Sequence, residues 1–161
     1  MKDYLTLLKE QVGKYAGALR DVVLLAPSYA MLMFRMLNDP RLSRRHRLWV
    51  DAAIAYLVSS DDVIPEEQFG GYGYLDDIFC CAYVATRIGE EAGWDLVEEC
   101  WRGHGSVHEL SQKLVAREQE LLGHTAGDDV LRFAGLSDRM DDEGAAEQGP
   151  EHGADVRGGR A

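Results

Sequence analysis

The sequence predicts an all-α protein: a single compact bundle of five to seven helices with a disordered acidic C-terminal tail. Apolar residues recur at steps of three and four along most of the chain, and no segment alternates convincingly at the period of two that strands require. From about residue 138 the chain holds almost no large apolar residue. Such a composition cannot offset the entropy of ordering. We therefore expect a helical domain over residues 1–137 and a tail over 138–161.

The first two helices are predicted over residues 3–25 and about 27–38. The first predicted helix contains Gly13 and Gly17, each of which costs about 1 kcal/mol relative to alanine. Pro27 suits the first turn of the second helix, because its missing N–H has no partner there in any case.

The third helix is predicted over about residues 43–59. From Leu48 to Val58 it is apolar on nearly every side except at Asp51. Since a helix of that kind usually occupies the centre of a bundle, we expect this helix to be the central element. The polar residues at 59–62 would then lie at the end of the most buried helix.

A loop over residues 60–73 precedes the remaining helices. Gly89 is expected to close the fourth helix, and Ser106 with Glu109 has the spacing of a capping box at the start of the sixth. The remaining predicted helices, the seventh of them weak, are about 74–88, 91–102, 106–122 and 128–135.

Composition indicates a soluble, cytoplasmic protein. The N-terminus lacks the unbroken apolar region of a secretory signal, and no stretch reaches the roughly 18 apolar residues of a membrane span. The cysteines, Cys80, Cys81 and Cys100, suit neither a disulfide framework nor a zinc site. We expect them to be small buried residues.

Charge is distributed unevenly along the chain. The net charge is -11, yet nine Lys/Arg against four Asp/Glu give residues 1–50 a charge of +5, and eight against 24 give residues 51–161 a charge of -16. This polarity favours oriented contact with a partner protein. It disfavours DNA, because the acidic part would repel phosphates.

Two Asp-Asp pairs, Asp61-Asp62 and Asp76-Asp77, stand beside long apolar runs. As structural residues, Asp62 would cap a turn, and Asp76 and Asp77 would occupy the first turn of a helix, where the dipole favours negative charge. As functional residues, Asp62, Asp76 and Asp77 would bind a divalent cation, Mg²⁺, Mn²⁺ or Ca²⁺, or share a proton. The spacing matches no established metal motif, so both interpretations stay open.

The same residues carry a resemblance. Residues 55–66, AYLVSSDDVIPE, and residues 73–78, GYLDDI, resemble the YkvA-like family, a bacterial domain of unknown function, over about residues 48–88. Ser60 and Glu66 depart from the family pattern, which usually has Pro and Asp there. The resemblance implies a helical domain, often membrane-associated or fused to other domains, with no established reaction. The family positions here are Asp62, Pro65, Gly73, Tyr74, Asp76 and Asp77.

Our leading functional prediction is a non-enzymatic adaptor or regulatory module that binds another protein, such as an accessory subunit of a bacterial stress or defence system. The first alternative is a metal-dependent hydrolase that uses the paired Asp residues, whose ion would activate a water. The second is a peripheral module that docks on an anionic membrane. The candidate partner or membrane contacts are Arg41, Arg44, Arg45 and Arg47. His46, His104 and His108 are expected to be exposed loop and cap residues.

Overall fold

The computed structural model describes residues 3–17, 19–59, 74–123 and 127–136. These residues form helices and no strand, which confirms the all-α prediction. The predicted loop at 60–73 and the predicted disordered tail at 138–161 lie outside the described residues. The helices are α1 (Tyr4–Gly13), α2 (Arg20–Val23), α3 (Ala26–Leu37), α4 (Arg44–Val58), α5 (Leu75–Ala92), α6 (Trp94–Cys100), α7 (Val107–Ala116), α8 (Glu118–Leu122) and α9 (Gly127–Phe133).

The central element is α5, not α4 as the sequence predicted. Thirteen of its 18 residues are buried, and it packs against α2, α3, α4, α6, α7, α8 and α9. By contrast, α4 buries one face and leaves Leu48 and Val58 40% and 53% exposed. The apolar run in α4 does not make it buried on every side, because small residues such as Ala55 are tolerated on an exposed face.

The predicted helix over 3–25 is divided into α1 and α2. The chain leaves helical geometry after Gly13, and Leu19 adopts a left-handed backbone with φ 59°. The Tyr15 ring lies where a Cβ on Gly17 would stand. The two glycines weaken this stretch, and the turn lets α2 pack against α5.

The fourth predicted helix does not end at Gly89. It continues to Ala92, and Gly93, with φ 93°, ends it. Gly89 instead lies beneath the indole ring of Trp94, whose atoms occupy the space of a Cβ. Trp94 in turn stacks on His108 at 4.1 Å between ring centroids. This glycine therefore permits close packing between α5 and α6 rather than ending a helix.

The N-terminus of α7 is capped by only half of the predicted capping box. Ser106 accepts a hydrogen bond from the Glu109 amide, at 3.3 Å. The carboxylate at this terminus is not that of Glu109 but that of Glu98 in α6. It accepts hydrogen bonds from the Ser106 hydroxyl at 2.6 Å and from the His108 amide at 3.1 Å. The predicted sixth helix is also divided, at Arg117, into α7 and α8.

One ion pair and one hydrogen bond join α4 to α5 at the two ends of this helix pair. Arg45 in the first turn of α4 meets Glu91 in the last turn of α5, at 3.2 Å. Tyr56 in the last turn of α4 meets Asp76 in the first turn of α5. The two helices are therefore antiparallel, with arginines at one end and the Asp76-Asp77 pair at the other. Within the described ranges, no helix is both long and apolar enough to cross a bilayer.

Candidate functional site

The first candidate site lies at the start of α5, where Asp76 and Asp77 occupy the first turn, as predicted. Both are buried, at 0% and 2% exposure. Carboxylates are rarely buried this fully without compensation. Their position at the N-terminus of α5 supplies part of this compensation, because the helix dipole favours negative charge there.

Asp76 faces α4. The Tyr56 hydroxyl donates to its Oδ2 at 2.5 Å, and the ring of Tyr56 meets the edge of Phe133 from α9 at 5.9 Å. Asp76 is thereby tied into contacts among three helices. Its burial has a structural consequence whatever else it binds: removal of the tyrosine hydroxyl would leave a buried acceptor.

Asp77 faces a narrow crevice between α1, α3, α4 and α5. Around it lie tyrosine, aliphatic and cysteine side chains, including Tyr4, Tyr29 and Cys81. Burial raises the pKa of the Cys81 thiol well above its usual value, and neighbouring Cys80 and Asp77 raise it further. A thiol held neutral in this way is a poor nucleophile. All three cysteines are free and buried, as the sequence predicted.

The predicted metal site of Asp62, Asp76 and Asp77 is only partly described. Asp62 lies outside the described residues, as does Asp61, so their distance to α5 is not defined. Among the residues that are described, no three His, Cys, Asp or Glu side chains are grouped as a metal site needs. A cation at Asp76 and Asp77 would therefore need further ligands from solvent or from outside the described residues.

The second candidate site is the opposite end of the bundle, which holds all four predicted contact arginines beside the ends of α3 and α6. Arg47 is half-buried there, and its guanidinium donates to the carbonyl of Leu37, the last residue of α3. It also donates to the carbonyls of Asp39 at 3.2 Å and Leu42 at 3.4 Å. These bonds make Arg47 a cap for the end of α3.

Glu91 gathers cations from two helices at this end. Arg45 approaches it at 3.2 Å and Arg87 at 3.2 Å. The Nε2 atom of His46 lies 2.9 Å from the same carboxylate. His46 is only 8% exposed and packs on Trp49 at 5.0 Å. The expectation that His46 is exposed is therefore wrong, because it lies on the buried face of α4.

Arg41 links the loop between α3 and α4 to α6. It forms a two-pronged bond with Asp39, at 3.0 and 2.8 Å, and an ion pair with Glu99 at 2.7 Å. The hydrogen bonds from Arg41 hold the pKa of Asp39 well below its usual range. The arrangement fixes Arg41 at one side of an open groove.

The groove measures about 550 Å³ and runs between the ends of α3 and α6. Arg35, Arg41 and Arg102 line it together with Phe34 and Pro40. A volume of this size suits a small ligand or a short peptide segment. Its lining combines these three guanidiniums with apolar surface and with the carboxylates of Asp39 and Glu99.

Two exposed arginines at this end have no ion-pair or hydrogen-bond partner among the described residues. They are Arg35, in the last turn of α3, and Arg44, the first residue of α4. Arg102 is also exposed, and its guanidinium bonds only carbonyls in that part of the chain, those of Glu99 at 2.7 Å and Trp101 at 2.8 Å. These three cations are the ones most open to an anionic partner.

We define the arginine end as Arg35, Arg41, Arg44, Arg45, Arg47, Arg87 and Arg102. In the described part of the chain, three carboxylates pair with these seven guanidiniums, those of Asp39, Glu91 and Glu99. The guanidiniums therefore outnumber their paired carboxylates by four, and Glu90 adds a further carboxylate in the last turn of α5. The sequence prediction found four of the seven residues. It missed Arg35, Arg87 and Arg102 because each belongs to a different helix or loop, and only the antiparallel packing brings them together. In the sequence, only the position of Arg35 in the last turn of an otherwise apolar helix could have indicated that it belongs to this surface.

Comparison with known proteins gives two matches. The model of a family of proteins of unknown function, DUF1232, matches residues 46–83. That range contains most of α4, the first half of α5 and the three predicted metal ligands. A relative from Methanothermobacter thermautotrophicus, described as uncharacterized protein ORF9, is 32% identical over 117 residues, which cover 73% of this chain and 80% of the relative. No solved structure is significantly similar.

Proposed function

This chain belongs to the DUF1232 family, whose function is unknown, and we propose that it is a non-enzymatic helical adaptor that binds another protein through its arginine end. The observation that carries the proposal is the excess of guanidiniums over their paired carboxylates there, in a chain whose net charge is -11. A patch whose sign opposes that of the whole molecule orients an approaching acidic partner.

The geometry also fits recognition by arginine. Ion pairs and carbonyl bonds hold Arg41 and Arg47 in place, so the binding surface is preorganised around them. Arg35 and Arg44 supply exposed guanidiniums without a described partner. Guanidinium groups bind carboxylates in two-pronged geometry and are enriched at protein interfaces.

The test is capture of a partner from an extract of the source organism by the full-length protein. The variant Arg35→Glu/Arg44→Glu reverses two exposed charges and should lose the captured protein. A matched control, Lys113→Glu/Arg132→Glu, changes the net charge by the same amount on α7 and α9 and should retain it. The proposal also predicts that Asp77→Asn retains the partner.

The outcomes separate this proposal from its rivals. A protein captured equally by wild type and by Arg35→Glu/Arg44→Glu would remove the arginine end from the proposal. Sedimentation with anionic phospholipid vesicles that is lost at high salt, without any protein partner, would favour the peripheral-membrane alternative, because screening weakens such contacts.

A metal-dependent hydrolase is the second candidate, and the buried Asp76-Asp77 pair is the observation that favours it. Thermal unfolding of wild type and of Asp62→Asn/Asp76→Asn, with EDTA or with Mg²⁺, Mn²⁺ or Ca²⁺, tests it. A cation that binds only the native state must raise Tm. A rise in wild type that the variant lacks would support a metal site. A lower Tm in the variant, with no cation effect in either protein, would assign these residues to helix stabilisation.

A further inference from the structure

We infer that the arginine end also binds an acidic segment of this same chain, residues 138–151, which thereby competes with the protein partner. The inference rests on the proposed function in that both use the arginine end. The crevice beside Asp77 is too narrow to admit a ligand. A small free anion in the groove is disfavoured, because the ends of α3 and α6 turn the negative poles of two helix dipoles toward it.

Charge complementarity is the first argument. Residues 138–151 contain six carboxylates, at Asp138, Asp141, Asp142, Glu143, Glu147 and Glu151, and one arginine, which gives a net charge of -5. In the arginine end, guanidiniums outnumber the carboxylates that pair with them by four. A segment with several spaced carboxylates can reach Arg35, Arg44 and Arg102 at once, which a small anion in the groove cannot.

Reach is the second argument. The described chain ends with Leu136, which is fully buried just after α9. Phe133 of α9 contacts Tyr56, near the end of α4 that lies opposite the arginines. From Tyr56 to Arg44 the helix rises about 18 Å, at 1.5 Å per residue. An extended chain covers about 3.3 Å per residue, so about six residues beyond Leu136 suffice. Asp142 is the sixth residue beyond Leu136, so the carboxylates from Asp142 to Glu151 lie within reach of the arginine end.

Covalent attachment is the third argument. Exposed ion pairs are individually weak and are screened by salt. A tethered segment, however, acts at an effective concentration in the millimolar range. Binding within one chain is therefore favoured at low salt, yet each contact remains weak enough for a partner with better complementarity to displace it.

The test uses the full-length protein with a nitroxide label on Ala146→Cys. The labelled protein also carries Cys100→Ser, because Cys100 lines the groove, whereas Cys80 and Cys81 are fully buried. We expect paramagnetic broadening of the amide signals of Arg35, Arg41 and Arg44, at least twofold in intensity. It should disappear in about 0.5 M NaCl, where the screening length falls to a few ångströms.

The matched control carries the same label and replaces four carboxylates, as Asp141→Asn/Asp142→Asn/Glu143→Gln/Glu147→Gln. It keeps the length of the segment and should abolish the broadening, as should Arg35→Gln/Arg44→Gln. Broadening that survives in either variant, or that never favours the arginine end, overturns the inference. Partner capture tests the proposed function separately. If the segment competes with the partner, the variant with four neutralised carboxylates should capture several-fold more partner. If no broadening is seen, the prediction that capture depends on Arg35 and Arg44 still stands and is tested on its own.

Discussion

The hydroxyl of Tyr56 donates a 2.5 Å hydrogen bond to the carboxyl group of Asp76, and both side chains are buried, at 4% and 0% exposure. The bond joins the last turn of α4 to the first turn of α5. It closes the end of the bundle opposite the arginines, directly beside the segment that connects these two helices.

Replacement of this hydroxyl should be costly. Tyr56→Phe would leave a buried carboxyl oxygen without its donor, and hydrogen bonds to charged groups contribute about 1.5–3 kcal/mol. We expect a loss of about 2 kcal/mol in the free energy of unfolding by urea. Tyr74→Phe is the matched control, since it removes an exposed bond of similar length, to Gln11, and should cost less than about 1 kcal/mol. Equal losses in both variants would contradict the role given to burial.

Two glycines should respond to alanine in opposite directions. At Gly89 a methyl group would overlap the indole ring of Trp94, so Gly89→Ala should destabilise by about 1–3 kcal/mol. Trp94 should shift, and its stacking on His108 should weaken, with a change in tryptophan fluorescence. At Gly13 a methyl group meets nothing within 4 Å, and alanine is the better helix former. Gly13→Ala should therefore stabilise by up to about 1 kcal/mol. A Gly89→Ala protein as stable as wild type, with unchanged tryptophan fluorescence, would contradict the close packing of Trp94 on Gly89.

The cap supplied by Glu98 should make stability depend on pH. Burial raises the pKa of Glu98, but hydrogen bonds from Ser106 and from the amides of His108 and Val107 outweigh it and leave the pKa lowered. A lowered pKa in the folded state stabilises the protein above the unfolded value, and this contribution is lost as pH falls through the folded value. At pH 7, Glu98→Gln should cost about 1 kcal/mol, as loss of a helix cap does.

The difference between wild type and Glu98→Gln should shrink as pH falls below about 4.5. Glu109→Gln is the control, because the Glu109 side chain bonds no group in the described part of the chain. It should unfold like wild type across the same pH range in denaturant titrations. A pH-independent loss in Glu98→Gln would show that its packing, not its charge, stabilises α7.

The arginines of α4 should separate into structural and contact residues. Arg47→Ala removes the donor to the carbonyls of Leu37, Asp39 and Leu42, so we expect a loss of about 1–2 kcal/mol. Arg44→Ala removes an exposed side chain with no described partner and should stay within about 0.5 kcal/mol. Thermal and urea unfolding measure both. A larger loss of stability in Arg44→Ala than in Arg47→Ala would mean that Arg44 is the structural residue and Arg47 the one available for contact.

Much of the local structure could be predicted from sequence. Pro27 lies in the first turn of α3, α4 begins next to the predicted residue 43, and Asp76 and Asp77 occupy the first turn of their helix, all as predicted. These features depend on neighbours within one turn. The passage of α5 through Gly89 and the Glu98 carboxylate that accepts from the start of α7 could not be predicted, because each depends on a side chain of another helix.

The sequence by itself determined the helical class, the buried cysteines, the family resemblance and the unequal distribution of charge. Tertiary structure decided that α5 is central, that Asp76 bonds Tyr56 and that Arg35, Arg87 and Arg102 join the arginines of α4 in one surface. The physical reason is range. Helix periodicity and charge are summed over local sequence, whereas burial and ion pairing depend on which faces meet, and the antiparallel packing of α4 against α5 sets that.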